Sequence, residues 1–213
     1  MKKRISSIFC LLALAIISIQ AKDYNVKDYG AIGDGKTLDH IAINATIDTC
    51  VAHGGGRVVL PAGTYLCGSI RMKSNVELHL MTGSKILAAP ASMKAYDEAE
   101  EFEGTAYQDG GHTYFKNSLI YAIGANDVSI TGRGMIDGEG LTRRDTQNGG
   151  NLHGGNIGTG DKAIAFKQCR NILIRDVTIY RGGHFGIIVT GCELGTIDNV
   201  IVDTNRDGID IDC

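Results

Sequence analysis

AIAFKQCRNILIRDVTIY, residues 163–180, can be laid over GIIVTGCELGTIDNVIVD, residues 186–203, with the apolar positions in step. Ile164 falls on Ile187, Phe166 on Val189, Cys169 on Cys192, Ile174 on Ile197, Val177 on Val200 and Ile179 on Val202, each at an offset of 23 residues. A third copy begins at Gly208. It sets Ile209 beneath Ile187 and Ile211 beneath Val189 at an offset of 22, and Cys213 arrives one residue early. Self-similarity at this period is the signature of a solenoid. Within each copy the apolar residues alternate (Ile187, Val189; Val200, Val202), which is the period of strands and not of helices. Short strands, turns and a constant rung length predict an all-β chain wound as a right-handed parallel β-helix. Equivalent residues then stack about 4.8 Å apart from coil to coil. Cys169, Cys192 and Cys213 fall on one such ladder, so they are expected to be small buried hydrophobes and not disulfide partners. No C-x-x-C pair occurs and no two histidines stand at metal-ligand spacing, which argues against a zinc site.

Looser coils precede the repeat. SNVELHLMTGSKILAA and ANDVSITGRGMIDGEG each open with asparagine and continue with alternating apolar residues. The G-x-G within TGRGMIDG joins strands and opens no helix, which removes it as a dinucleotide site. One helix is expected, in TLDHIAINATIDTCVAH, with Ile41, Ala42, Ala45 and Cys50 on one face. Thr37 or Asp39 would cap its start and the glycines at 54–56 would end it. Such a helix would cover the open N-terminal coil. The Asn44 sequon lies inside it and is expected to stay unmodified. Two long segments interrupt the rungs, Pro90–Asn117 with its acidic run DEAEEFE, and Glu139–Lys162, which carries Arg143 and Arg144. The acidic run reads as a solvated edge, and the two arginines as groups able to meet an anionic ligand.

The first residues are of another kind. MKKR is followed by the apolar run ISSIFCLLALAIISI and then by QA, the layout of a secretory signal peptide cleaved after Ala21. Residues 1–21 are therefore expected to be a leader and 22–213 a partial β-helix domain, secreted or periplasmic. Removing Lys2, Lys3 and Arg4 leaves 18 basic against 24 acidic residues, a net charge of −6. That balance argues against nucleic acid as a partner. With 29 glycines and only 2 prolines, the chain is rich in tight turns without being disordered or collagenous.

The motifs resemble a known family. VKDYGAIGDGKTLDHIAINATIDTC followed by GGGRVVLPAGTYLCGSI is similar to the opening of secreted pectin-active β-helix proteins. DGEG, CRNILIRDVTI and NRDGIDID narrow the resemblance to the polygalacturonase-like family 28 glycoside hydrolases, from about Tyr24 to the last residue. The resemblance implies hydrolysis of galacturonic-acid linkages in pectin with inversion, by a monomer using no metal or other cofactor. Asn205-Arg206-Asp207 matches the family's Asn-Thr-Asp with arginine in place of threonine. Asp207 then takes the position of the water-activating carboxylate and Asn205 that of its neighbour. The family often has Arg-Pro where this chain has Asp161-Lys162, and tryptophan where it has Phe185.

The repeat itself predicts a column of Lys162, Phe185 and Asp207 on one outer edge, with His184 adjacent. A cation, an aromatic plate and a carboxylate in line make a groove suited to a sugar acid. Asp210 and Asp212 alternate with inward Ile209 and Ile211, so both face outward. On the residues alone, a turn aspartate beside a solvated strand face is the preferred reading, by a narrow margin. The resemblance assigns Asp207 to catalysis, with Asn205 beside it and Asp210 as a substrate contact; the column adds Lys162 and His184 as substrate-binding groups. Inverting hydrolysis also needs an acid roughly 6.5–9.5 Å from the water-activating carboxylate. The preceding coil offers His184 and Phe185 in register and no carboxylate, so the expectation is a helix truncated at its C-terminal end, lacking the general acid and inactive by itself. A calcium-dependent pectate lyase-like coil and a non-catalytic glycan-binding or adhesin coil are the other classes the sequence leaves open.

Overall fold

The computed structural model describes residues 22–101, 110–142, 158–204 and 206–212. The chain opens with β1 (Asp23–Asn25), β2 (Asp34–Leu38) and helix α1 (His40–Ala52). The next coil is β3 (Gly56–Leu60), β4 (Gly63–Cys67) and β5 (Ile70–Arg71). It is followed by β6 (Val76–Leu80), β7 (Ser84–Ala88), a one-turn helix α2 (Gly110–Thr113) and β8 (Ile120–Ile123). Three further coils are β9 (Asn126–Gly132), β10 (Met135–Asp137) and β11 (Lys162–Lys167), then β12 (Arg170–Arg175), β13 (Thr178–Tyr180) and β14 (Phe185–Thr190), then β15 (Glu193–Asp198), β16 (Ile201–Asp203) and β17 (Asp207–Asp212). Every third strand pairs in parallel. Sheet A runs β1-β3-β6-β9-β12-β15, sheet B β2-β4-β7-β10-β13-β16 and sheet C β5-β8-β11-β14-β17. This is the expected right-handed parallel β-helix.

The register reproduces the sequence offsets. Ile120, Ile164, Ile187 and Ile209 form one inward ladder in sheet C, and Val58, Leu78, Ile130, Ile174 and Ile197 another in sheet A. Ile86, Ile136, Ile179 and Val202 line sheet B. Burying each such side chain contributes roughly 1.5–3 kcal/mol. Cys169 and Cys192 stack as unbridged thiols, with the Cys169 N–H donating to Cys192 Sγ at 3.4 Å; Cys213 lies outside the described residues. The turns from sheet C to sheet A form their own ladder, with Asn75, Asp127, Asn171 and Leu194 all at φ between 54° and 62°. Asparagine and aspartate tolerate this left-handed conformation, and Asn171 Nδ2 donates to Asp127 Oδ1 at 2.6 Å.

Helix α1 covers the N-terminal coil as expected, but on a different face. Ile43, Ile47 and Cys50 are fully buried against Tyr24, Val26 and Val58, whereas Ile41 is exposed. These three positions share a helix face at spacings of four and seven; Ile41 points away from it. Asp39 stands at the N-cap, yet its carboxylate accepts from the N–H groups of Ile32 and Gly33 at 2.7 and 2.9 Å and makes no capping bond. The Gly54 and Gly55 N–H groups close the C-terminus on the carbonyls of Val51 and Cys50. Asn44 is buried: its Nδ2 donates to the Ser69 carbonyl and its Oδ1 accepts from the Arg71 N–H, which ties the helix to β5.

Both long insertions, 89–119 and 138–161, leave sheet B and return at sheet C. The described end of the first, at 110–119, packs on the outer face of sheet C. Among the described residues no helix is long and apolar enough to cross a membrane.

Candidate functional site

The outward side chains of sheet C stand in columns. Lys162 pairs with Phe185 and Phe185 with Asp207, as the offsets predict. A second column runs Tyr121, Ala165, Ile188, Asp210, and a third Ile123, Lys167, Thr190, Asp212. Asp207, Asp210 and Asp212 thus share one face of β17.

Burial separates these residues. Asp207 is exposed and Asp210 partly so. Lys162 was expected as an exposed cation of the groove, but its side chain is fully buried and ion-paired with Asp161. An ammonium is retained in such a place only with a partner, because its desolvation is costly. His184 is also buried, and its ring lies 4.4 Å from that of Phe185 at a tilt of 44°. Its Nδ1 is 3.1 Å from Arg206 Nη1, and Arg206 Nε is 3.7 Å from Asp207 Oδ2. Asn205, Arg143 and Arg144 lie outside the described residues.

Residues that sequence reasoning did not single out complete the face. The segment after α2 folds back over sheet C, where Phe115 packs with Ala165, Phe185 and Ile188 in a small second core. His112 meets the Phe185 ring edge-on at 4.9 Å and reaches Asp210 Oδ2 at 3.1 Å. Glu100 belongs to the acidic run expected to be solvated. Instead its carboxylate accepts from the Phe115 and Lys116 N–H groups at 2.9 and 3.0 Å and lies 3.9 Å from Lys167 Nζ. Asp97, from the same run, accepts from Arg71 and from the Tyr121 hydroxyl. These are long-range contacts within a segment that has no periodicity, so local pattern carries no signal for them.

Asp210 and Asp212 point the same way, and each has its own partner. His112 serves Asp210, and the Thr190 hydroxyl donates to Asp212 at 3.2 Å. The donor atoms of His112, Asp210 and Asp212 lie within 4.8 Å of one another, a set able to hold a cation.

A separate open groove of about 600 Å3 lies on the outer face of sheet A, lined by residues that include Glu77, His79, Thr131, Arg133 and Arg175. Thr131 donates to Glu77 and contacts His79 Nδ1 there. None of the described residues from Arg206 onward lines this groove.

Compared with known proteins, residues 24–212 match the family model described as rhamnogalacturonase A/epimerase, pectate lyase-like. An exo-poly-alpha-D-galacturonosidase of Dickeya chrysanthemi is 33% identical over 129 residues, 57% of this chain and 20% of that protein. The plasmin and fibronectin-binding protein A of Streptococcus pneumoniae is 30% identical over 184 residues, 85% of this chain and 23% of that protein. The family 28 exopolygalacturonase of Yersinia enterocolitica superposes with a TM-score of 0.69 at 25% identity, covering 90% of this chain and 41% of that one. The chain thus spans less than a quarter of the length of these two curated relatives. The resemblance to polygalacturonase-like glycoside hydrolases holds. With the match running over nearly the whole of the described solenoid, the chain belongs to the rhamnogalacturonase A/epimerase, pectate lyase-like family.

Proposed function

We propose that this chain forms the N-terminal part of a secreted or periplasmic pectin-degrading glycoside hydrolase, delivered by the leader at 1–21, that cleaves galacturonic-acid linkages with inversion. The observation that carries the reading is Asp207, exposed on the outer face of sheet C within Asn205-Arg206-Asp207, on a scaffold whose relatives include an exo-poly-alpha-D-galacturonosidase. Asp207 acts as the general base that takes a proton from water as it attacks the anomeric carbon. Phe185 is fully buried one coil below and serves as the floor of the groove. Asn205 and Asp210 bind sugar hydroxyls beside it. Lys162 and His184 act from beneath, holding the column and not touching the sugar.

The leaving oxygen needs a general acid roughly 6.5–9.5 Å from Asp207. The coil below has Phe185 in register with Asp207, and no carboxylate. In this reading the acid belongs to a further coil stacked on β17, and residues 1–213 alone do not turn over substrate. The test is reducing-sugar release from polygalacturonate, with the anomer of the product followed by NMR. It uses this chain and a version extended by the next coils of a matched relative. We expect inverted product from the extended version only, abolished by Asp207→Asn. Release by the 213-residue chain, lost on Asp207→Ala, would overturn the assignment of a missing acid. Two other outcomes point to other classes. Unsaturated product that disappears with a chelator would favour a calcium-dependent lyase using the His112, Asp210 and Asp212 donors. Pectic binding without turnover by the extended version would favour an adhesin-like coil, in line with the pneumococcal relative.

A further inference from the structure

We propose that the groove on the outer face of sheet A is a second saccharide site, which holds an oligosaccharide bearing anionic groups on the guanidinium groups of Arg133 and Arg175. It lies on another sheet from Asp207, so the two sites stand or fall separately.

Consecutive coils build the floor. Glu77 of β6 pairs with Ser129 of β9, and Ser129 with Leu173 of β12, while His79 pairs with Thr131. These side chains face outward, because the alternate residues Leu78, Ile130 and Ile174 belong to the inward ladder. Arg175 follows Ile174 as Thr131 follows Ile130, so it continues the second column. The floor is held by its own bonds. The Thr131 hydroxyl gives its one proton to Glu77, so it accepts from His79 Nδ1 at 2.8 Å. Asp176, in the turn after β12, accepts from Asn199 Nδ2 at 2.6 Å. Both carboxylates that line the groove therefore already have protein donors.

The cations of the groove are not matched in the same way. Arg175 gives Nε to Asp198 Oδ2 at 3.0 Å and makes no other hydrogen bond among the described residues. Its Nη groups stay open to a ligand. Arg133 is exposed in the turn after β9 and has no acceptor among the described residues. The backbone that carries it is nonetheless fixed on the coil beneath. An added Cβ would stand 2.1 Å from the Leu80 carbonyl oxygen at Gly132 and 2.4 Å from Ser84 Oγ at Gly134. Two guanidinium forks with open donors thus stand on successive coils, and carboxylate or sulfate oxygens are the groups that answer them. The rest of the lining suits a sugar. The hydroxyls of Thr82 and Ser129 both donate and accept, and His79 Nε2 accepts when its ring is neutral. The volume of about 600 Å3 is that of a small-ligand site. The groove crosses β6, β9 and β12, and a rise of about 4.8 Å per coil is close to the advance of one ring along a glycan.

The test is proton–nitrogen correlation NMR of the 213-residue chain at low salt. The chain is titrated with trigalacturonate and with the neutral trisaccharide made by reducing its carboxyl groups. With the acid we expect saturable shifts at the amides of Thr82, Gly132, Arg133 and Asp176, and binding there about 10-fold weaker with the neutral sugar. Arg133→Ala and Arg175→Ala should each weaken the acid at this groove about 3- to 10-fold and leave any shifts on sheet C unchanged. The spectrum itself shows whether each variant is folded. Asp207→Asn should leave the groove shifts in place. Stronger groove shifts with a sulfated trisaccharide of the same length support the site and name sulfate as the anion it prefers. Shifts confined to sheet C, equal groove shifts with the neutral sugar, or groove shifts that both arginine variants leave unchanged overturn the second site while the Asp207 reading stands. Absence of groove shifts with all of these sugars overturns it as well.

Discussion

Replacing Asp97 by asparagine should loosen the first long insertion from the solenoid, by an amount that depends on pH. The Asp97 carboxylate accepts from Arg71 Nε and Nη2 at 2.7 and 2.6 Å and from the Tyr121 hydroxyl at 2.8 Å. It therefore joins the insertion to β5 and β8 at once. Burial alone would push this carboxyl up; the Arg71 and Tyr121 bonds outweigh that and hold it below its ordinary value. A carboxyl depressed in the folded state adds stability that is fully present above the unfolded value. That stability is lost as pH falls through the folded one. Bonds to a charged group contribute about 1.5–3 kcal/mol each when sheltered. Arg71 is more than half exposed, so solvent screens the pair. Asparagine keeps one acceptor oxygen for Tyr121 and loses the charge and the fork. The expected loss at pH 7 is about 1.5–2.5 kcal/mol. The chain has no tryptophan, so urea unfolding is best followed by far-ultraviolet circular dichroism, for both proteins at pH 7 and at pH 3. The gap should be present at pH 7 and should narrow below about pH 4, where the unfolded carboxyl protonates. A gap under about 0.5 kcal/mol at pH 7, the size of an ordinary surface substitution, or one that does not change with pH, refutes the reasoning.

Asn44→Ala strands the Arg71 N–H and the Ser69 carbonyl under helix α1 and should cost about 2–4 kcal/mol in urea unfolding; mass spectrometry of chain made in a glycosylating host should find no glycan at Asn44. Unfolded in denaturant, the chain should titrate all six of its thiols, or five after loss of the leader that carries Cys10, and fewer would mean a disulfide. In the extended hydrolase, EDTA should leave sugar release unchanged. Loss of release on chelation would point to a cation on His112, Asp210 and Asp212.

What the sequence makes legible follows from where its information is periodic. The offset of 23 fixes Ile164 on Ile187, and the offset of 22 fixes Ile187 on Ile209; the register places both pairs in this way. The same arithmetic puts Phe185 on Asp207. Offsets say which residues share a column, but they do not say what covers it. Lys162 and His184 were expected at the surface, and both are buried. The covering segment bears Phe115 and His112, and it has no repeat to align. The helix shows the same limit: of the expected face, packing on the first coil buries Cys50 but leaves Ile41 exposed, and it takes Ile43 and Ile47 instead.

The three corners of the coil are not equally free to change, and this bears on why the proposed site lies on sheet C. The turns from C to A carry the left-handed ladder of Asn75, Asp127, Asn171 and Leu194, stacked coil on coil. An insertion there would break both a strained conformation and its neighbour's hydrogen bonds. Past the first coil the turns from A to B are short, and at Gly132 an added Cβ would stand 2.1 Å from the Leu80 carbonyl oxygen. Past the first coil, long segments enter at the B-to-C corner, at 89–119 and 138–161, and the rungs on either side keep their register across both. Side chains delivered from that corner land on the outward columns of sheet C, as His112 does on Asp210. A family built on this coil can therefore change what it binds by rewriting one corner and one outward face, while the inward ladders stay as they are. Asp207 and Arg206 lie where that face meets the short B-to-C turn that follows β16, within reach of both.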